Sequence, residues 1–406
     1  MIIQAEWVVP MKGDPIFNGA VRVVDEHIAY VGPRTKIAPL PNEEVIDLGP
    51  SVLSPGLINA HCHLDYTILR GSIAPPDGFA DWIKNINALK RDFSTADYLD
   101  SVMKGFDMLM DGGTTTVGNI EAFPEILPHL APPPIRTWWF LELIDVRNRL
   151  YDETGLIGAL SFFEQHANWL GGFGLSPHAP YTASPELYRL AKSCSERLQM
   201  PFTTHVAESV QEHEMFVNAR GDLYDLMKGL GRDCTDCGQG SSVSHLLELG
   251  LLTHNCLAVH VNYLQDYDFP ALAEAGVHIV YCPKCHTYFG HRKFELERLR
   301  EHGVNICLGT DSLASNNSLD MRAEMREALF KHPTLTNRQC LEMATLNPAK
   351  ALNQEGRLGE ITEHALADLV AFPMDFHSNP YEALIHSHAK PLLLMVNGRK
   401  IVSPND

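Results

Sequence analysis

Two imidazoles one residue apart, in His61-Cys62-His63, are the first place in this chain where side chains could act together on one atom. In an extended segment, alternate side chains share a face, so both rings can reach a single cation. His205 and His260 each close a later apolar run, and Asp311 follows Leu308-Gly-Thr. With 20 histidines in the chain, a lone one says little, and their joint placement says more. Three neutral imidazoles and a carboxylate, with one position left open, suit a divalent ion such as zinc, iron or manganese. Such an ion brings the pKa of bound water from about 15.7 to about 7. Glu208 lies three residues beyond His205, where a carboxyl can carry a proton between that water and a leaving amine. His260 is either a further ligand or the group that hydrogen-bonds the attacking water or the developing oxyanion.

Bringing these residues together requires a scaffold that gathers several strand ends on one rim. Short runs rich in Val, Ile and Thr alternate with helical stretches, the pattern of βα units around a parallel sheet. Strands are predicted over 52–61, 114–120, 135–143, 174–178, 202–205, 257–260, 278–281 and 304–309. Ser184-Pro-Glu opens a helix whose Leu187, Leu190, Ala191, Cys194 and Leu198 keep helical spacing. Ser318 is expected to cap another, from Leu319 to about Phe330. Eight strands with helices between them over roughly 300 residues make a (β/α)8 TIM barrel, whose functional groups collect at the C-terminal strand ends. Both chain ends read as short strands and turns, expected to meet as one small composite β-sandwich domain. The expected division is 1–55 with 356–406 for the β-domain, and 56–355 for the barrel.

Composition narrows the partners. The 406 residues carry a net charge of −18, the opposite of what phosphate neutralisation needs, so nucleic acid is not an expected partner. No run of eighteen apolar residues exists to span a membrane, and the opening residues do not read as a secretion signal. Nine cysteines, an odd and modest number, fit reduced thiols in a cytoplasm. The pairs Cys234/Cys237 and Cys282/Cys285 are separated by more than forty residues. Zinc ribbons place their pairs about 15–20 residues apart, so these read as unpaired thiols.

Four segments taken together resemble the amidohydrolase superfamily: Pro55-Gly-Leu-Ile-Asn-Ala-His-Cys-His, Ser176-Pro-His-Ala-Pro-Tyr-Thr, His205-Val-Ala-Glu-Ser and Leu308-Gly-Thr-Asp-Ser-Leu-Ala-Ser-Asn-Asn-Ser-Leu-Asp. Within it they are closest to the deaminase and chlorohydrolase branch that contains methylthioadenosine/S-adenosylhomocysteine deaminases. The resemblance continues through Met343-Ala-Thr-Leu-Asn-Pro-Ala-Lys-Ala-Leu and Ala367-Asp-Leu-Val-Ala-Phe. It implies His61, His63, His205 and Asp311 as metal ligands, Glu208 as proton shuttle, His260 as the residue orienting water, and Asp311 also as its base. His178 stands at the end of strand four, where two-metal branches carry a carboxylated lysine, so one ion is expected, with zinc favoured. The implied reaction is hydrolytic deamination of an amino-substituted heteroaromatic ring. Guanine- or cytosine-type deamination, or hydrolysis of a carbon–chlorine bond, could use the same groups. A barrel turned non-catalytic scaffold would be expected to have lost ligands, and none is missing.

Substrate contacts follow from the same resemblance. Phe79-Ala-Asp-Trp82 resembles the segment whose tryptophan lies near the base in adenosine-type deaminases. The stretch Leu89-Lys-Arg-Asp-Phe-Ser, where an acid for ribose hydroxyls would fall, is basic at the nearest position. Glu142 is a candidate for those hydroxyls, Arg147 or Arg149 for a distal anion, and His178 for a further contact. At strand seven the family usually shows Cys-Pro-x-Ser-Asn, where this chain has Cys282-Pro-Lys-Cys-His-Thr-Tyr-Phe-Gly-His-Arg. His286, His291 and Arg292 are therefore candidates to meet a negatively charged substrate arm. The favoured substrate is a 5′-modified adenosine, with a carboxylated tail as in aminodeoxyfutalosine preferred to S-adenosylhomocysteine itself. A small molecule is the expected partner, and a homo-oligomer is allowed.

Overall fold

The computed structural model describes the chain except residues 148–155, 157–164, 167, 375–378 and 404–406. Among the described residues, eight parallel strands pair in chain order: Leu57–His63, Thr114–Glu121, Arg136–Leu143, Gly171–Pro177, Phe202–Val206, Cys256–His260, His278–Tyr281 and Asn305–Leu308. The last of them closes the ring by changing partners. Gly309 N donates to the Tyr281 carbonyl (3.0 Å), Thr310 N to the His61 carbonyl (3.1 Å), and Asp311–Ser312 then pairs with the first strand. Glycine is required at this crossing, because a Cβ on residue 309 would meet His61 Cβ and Val280 Cγ1 at 2.9 Å. The structure is a (β/α)8 barrel, as the alternation predicts.

Its strands are largely buried on both faces, because one face fills the barrel and the other meets helices. In the third strand Trp138 and Phe140 join an apolar cluster with Ile58, Leu257, Val259 and Val280. The alternate residues Trp139, Leu141 and Leu143 pack in a second cluster with Tyr98, Val102 and Phe106 of the helix Thr95–Asp111.

The predicted strand 52–61 is two strands. Ser51–Pro55 pairs antiparallel with Leu369–Pro373 and parallel with Ile2–Val8, outside the barrel, and only Leu57–His63 lies within it. The sign of this change of sheet is the Pro55-Gly56 pair, a dipeptide that breaks a strand, set between two apolar runs. The chain switches at Gly56, where a Cβ would come within 1.9 Å of Thr115 Oγ1.

The two chain ends do meet. Arg399–Val402, Leu393–Val396, Leu369–Pro373, Ser51–Pro55, Ile2–Val8, Ile16–Val24 and His27–Pro33 follow one another in one sheet, with Val45–Asp47 also on Ile2–Val8. The expected sandwich thus takes the form of a single hydrogen-bonded sheet, because Ile2–Val8 and Ser51–Pro55 pair directly and join the two terminal groups of strands. Its apolar residues, Ile3, Val8, Val21, Leu53, Leu369 and Leu393 among them, form their own buried cluster. A buried ion pair at 2.8 Å, Arg136 with Asp368, ties this sheet to the third barrel strand.

Ser184 caps the helix Pro185–Leu198 as expected, accepting from Leu187 N at 3.1 Å. The helix Met321–Lys331 begins later than its sequence suggests, and its cap is Asp320 rather than Ser318. The Asp320 carboxylate accepts from both the Arg322 backbone (2.9 Å) and its guanidinium (3.1 Å), while Ser318 Oγ is taken by Asp320 N. A charged acceptor at the positive end of a helix outcompetes a neutral hydroxyl. No helix among the described residues is long and apolar enough to cross a membrane.

Candidate active site

The C-terminal strand ends place the chemistry. His61 and His63 end the first strand, His205 lies in the fifth, His260 ends the sixth, and Asp311 opens the segment that closes the barrel. The first strand reaches its partner through two register shifts, between Leu57/Ile58 and between Asn59/Cys62. Such bulges re-aim side chains, and they are common beside active sites. His260 (φ 73°) and Asp311 (φ 57°) both adopt left-handed backbone. That conformation is strained for residues other than glycine and clusters where function imposes it.

One donor atom each from His61, His63, His205 and Asp311 all lie within 4.8 Å of one another, and all four residues are buried. His61 Nε2 and His63 Nε2 stand 3.5 and 3.6 Å from Asp311 Oδ1. These gaps are long for hydrogen bonds and short enough for the donors to share an ion at bond lengths of about 2.0–2.2 Å. The protein's own bonding fits a metal. Neither ring nitrogen of His61 has a hydrogen-bond partner among the described residues, a costly state for a buried imidazole. His205 donates from Nδ1 to the His178 carbonyl at 2.8 Å, so its Nε2 carries the free electron pair that a ligand needs. Burial pushes the His63 and His205 pKa values down, His205 to about 3, with the neighbouring histidines adding to the effect. Both rings are therefore neutral, the ligating form. Burial acts to raise the Asp311 pKa, but the His61, His260 and His63 rings around it outweigh burial and hold it well below the usual carboxylate range.

Glu208 lies just beyond the fifth strand, buried, its Oε1 3.7 Å from His260 Nε2. The turn that carries it is rigid. Ser209 caps the helix Val210–Asn218, and the Glu212 carboxylate accepts from Ala207 N (2.7 Å) and Glu208 N (2.9 Å). Burial, reinforced by the charges of Asp311 and Glu212, raises the Glu208 pKa well above the usual range, the direction a general acid needs. His260 is driven the other way by burial and stays neutral.

His63, His205, Glu208, His260 and Asp311 line a cavity of about 490 Å³. That lies within the range of small-molecule sites. Trp82, Glu142, Arg147 and His178 line it, whereas Arg149 lies outside the described residues. His286 does not line the cavity. It is buried in the wall behind His260, ring centroids 5.5 Å apart, because the helix Pro283–Tyr288 starts directly after strand seven and turns the residue inward. His291 stacks on Phe289, and Arg292 donates to the carbonyls of Asn262 and Leu264, so neither reaches the cavity. The basic lining comes instead from Lys90 and Arg91, with the aromatic lining of Tyr66 and Tyr181 beside it. Tyr66 lies flat against the His63 ring (5.4 Å, 3°) and accepts a 2.5 Å hydrogen bond from Lys90. Tyr66 carried a weak signal in its spacing of three from His63; the basic 89–91 stretch was visible, but its direction was not. None of the nine cysteines is in a disulfide, and the two Cys-x-x-Cys pairs do not combine into a donor group.

Comparison with known proteins agrees with the geometry. Residues 52–401 match the amidohydrolase family. A 5-methylthioadenosine/S-adenosylhomocysteine deaminase of Pyrococcus furiosus is 30% identical over 381 residues, 91% of this chain and 85% of that protein. An adenosine deaminase from Xanthomonas campestris, solved with bound zinc, superposes with a TM-score of 0.84 at 25% identity, covering 99% of this chain and 92% of that one. At 23% identity, the Helicobacter pylori aminofutalosine deaminase in complex with methylthio-coformycin shares the fold, with a TM-score of 0.85 over 99% of this chain and 100% of the other. The chain belongs to the amidohydrolase family.

Proposed function

We propose that this protein is a metal-dependent hydrolytic deaminase that replaces the amino group of a 5′-modified adenosine by oxygen and releases ammonia. The observation that carries this reading is the buried set His61, His63, His205 and Asp311 with the buried Glu208 carboxyl nearby, all but His61 lining a nucleoside-sized cavity. One divalent ion, zinc in preference to iron or manganese, would be held by those four residues, where it would supply a Lewis acid and lower the pKa of water to about 7.

The chain's own groups manage the protons. Hydrolysis of a ring C–NH2 to C=O uses one water, whose two hydrogens end on the ring nitrogen and on ammonia. Glu208 protonates the ring nitrogen, which makes the adjacent carbon electrophilic, and is reprotonated from the water. Asp311 accepts the water's proton and returns one to the departing amine, while neutral His260 hydrogen-bonds the attacking oxygen. Trp82 stacks on Phe79 (5.9 Å, 16°) in the cavity wall and offers a flat apolar face to the base. Glu142 is assigned to ribose hydroxyls, and His178, anchored through Nδ1 to Thr182 Oγ1 at 2.7 Å, to a further polar contact. Arg147, joined by Lys90 and Arg91, would receive a carboxylated tail. Basic residues gathered at the cavity of a chain with net charge −18 support that tail. Nine cysteines outside any disulfide support a cytoplasmic setting.

The test is a deamination screen over adenosine, methylthioadenosine, S-adenosylhomocysteine, aminodeoxyfutalosine, guanine and cytosine, read by the ultraviolet shift and by ammonia. Turnover is expected to be fastest on a 5′-modified adenosine. Turnover confined to guanine or cytosine, or no ammonia from any of the nucleosides, would overturn the reading.

A further inference from the structure

The two oxygens of Asp311 keep different company. Oδ1 faces the Nε2 atoms of His61 (3.5 Å) and His63 (3.6 Å). Oδ2 accepts hydrogen bonds from Ser315 Oγ (2.7 Å) and Cys285 Sγ (2.9 Å). Ser315 is local, four residues along the same segment. Cys285 comes from a different element, the helix Pro283–Tyr288 after strand seven, and its side chain is fully buried. A thiol so buried keeps its hydrogen and donates it. The same sulfur also lies within 4.8 Å of donor atoms of Glu208 and His260, so it stands among three groups of the reaction.

This arrangement answers a mechanical problem. Asp311 sits on left-handed backbone (φ 57°), a conformation that persists only where its surroundings hold it. Without a tether, its side chain could rotate and exchange its oxygens. Two donors from two elements, converging on one oxygen, fix both side-chain torsions. Only Oδ1 is then left for the imidazole cluster. We propose that Cys285 is the positioning residue that determines which oxygen of Asp311 is presented to the three imidazoles, so that metal retention and turnover both depend on its donor hydrogen. The inference rests on Asp311 being a metal ligand, as the proposed function holds.

The experiment compares Cys285→Ala, Cys285→Ser, Ser315→Ala and Asp311→Asn in the full chain. Each is assayed for zinc affinity by chelator competition, for the visible spectrum of the cobalt-loaded protein, and for kcat and KM. Cys285→Ala is expected to lose about 10- to 100-fold in metal affinity, the usual effect of removing a partner that orients a ligand. Its cobalt spectrum should change, and kcat should fall more than KM rises. Cys285→Ser restores a donor in nearly the same volume and should recover affinity, spectrum and turnover. Should Cys285→Ala fail to fold, Ser315→Ala and Cys285→Ser carry the comparison, because the first removes the other half of the tether and the second only exchanges the donor atom. Wild-type affinity and spectrum in Cys285→Ala, or a Cys285→Ser variant as damaged as the alanine one, would overturn the inference. Full metal retention in Asp311→Asn would sink the ligand assignment beneath it. A wild-type protein that binds metal but deaminates nothing would sink the proposed function alone and leave the tether standing.

Discussion

The Nδ1 hydrogen of His205 is given to the backbone carbonyl of His178 at 2.8 Å, so the first residue beyond the fourth barrel strand decides which nitrogen of the next strand's histidine is free for a metal. Because the acceptor is backbone, the two histidines should respond differently to alanine. His205→Ala is expected to lose the ion, measured as metal per folded chain. His178→Ala keeps the carbonyl and should keep the ion, while KM rises about tenfold, the size of one lost polar contact. Metal loss in both variants would contradict this division.

Glu208→Gln preserves shape and removes the transferable proton. Metal content should stay at the wild-type level, and kcat should drop by at least about a hundredfold, the common scale of a general acid–base contribution. Single-turnover measurement separates the chemical step from product release. A variant within a few-fold of wild type would remove Glu208 from the mechanism.

Trp82 acts through its face rather than through a proton. Trp82→Ala is expected to raise KM by about three- to tenfold, as an aromatic contact of about 0.5–1.5 kcal/mol would. The kcat should change less, and Trp82→Phe should restore most of the binding. A fall in kcat with unchanged KM would place the residue elsewhere in the cycle.

Much of this site was legible in the sequence, for reasons that can be named. His61 and His63 are paired by the two-residue period of a strand, and Glu208 follows His205 by a fixed short turn. A barrel brings its strand ends to one rim wherever they lie in the chain. Other features depend on direction, which residue types do not encode. His286 and Arg292 announced positive charge, but the helix after strand seven buries one and spends the other on carbonyls. Lys90 and Arg91 looked like a departure from an expected acid, and the cavity uses them as lining. The 52–61 run carries its break at Pro55-Gly56, but the apolar residues on either side suit both sheets, so the change of sheet does not show in residue type. Cys285 reads from the sequence as an unpaired thiol, since nothing local shows that Asp311 would come to it.

His278, far from the chemistry at the start of strand seven, gives a stability test. Burial and then the charge of Lys350 push its pKa down to about 4, and its Nδ1 accepts from Asn305 Nδ2 at 2.9 Å. The unfolded chain takes up this proton near pH 6.5 and the folded chain only near 4. Stability from this residue is therefore complete above the upper value and is lost as pH falls through the window, by at most about 1.4 kcal/mol per pH unit. Asp65 and Glu324, raised to about 8 by burial, contribute the opposite slope, so the difference between variant and wild type is the quantity to read. Denaturant melts from pH 4 to 7 should show His278→Gln with a shallower acid loss than wild type. Equal slopes would show that His278 takes up its proton in the folded state as readily as in the unfolded one.

The most direct measurement counts metal ions and ammonia on the same sample. The purified protein should carry about one ion per chain at the four-donor site, and chelation should abolish ammonia release in step with the metal lost. Readdition of zinc should restore both, and His61→Ala should do neither. Undiminished ammonia release from metal-free protein, or a full complement of metal in His61→Ala, would contradict a hydrolysis carried out at the His61, His63, His205 and Asp311 centre.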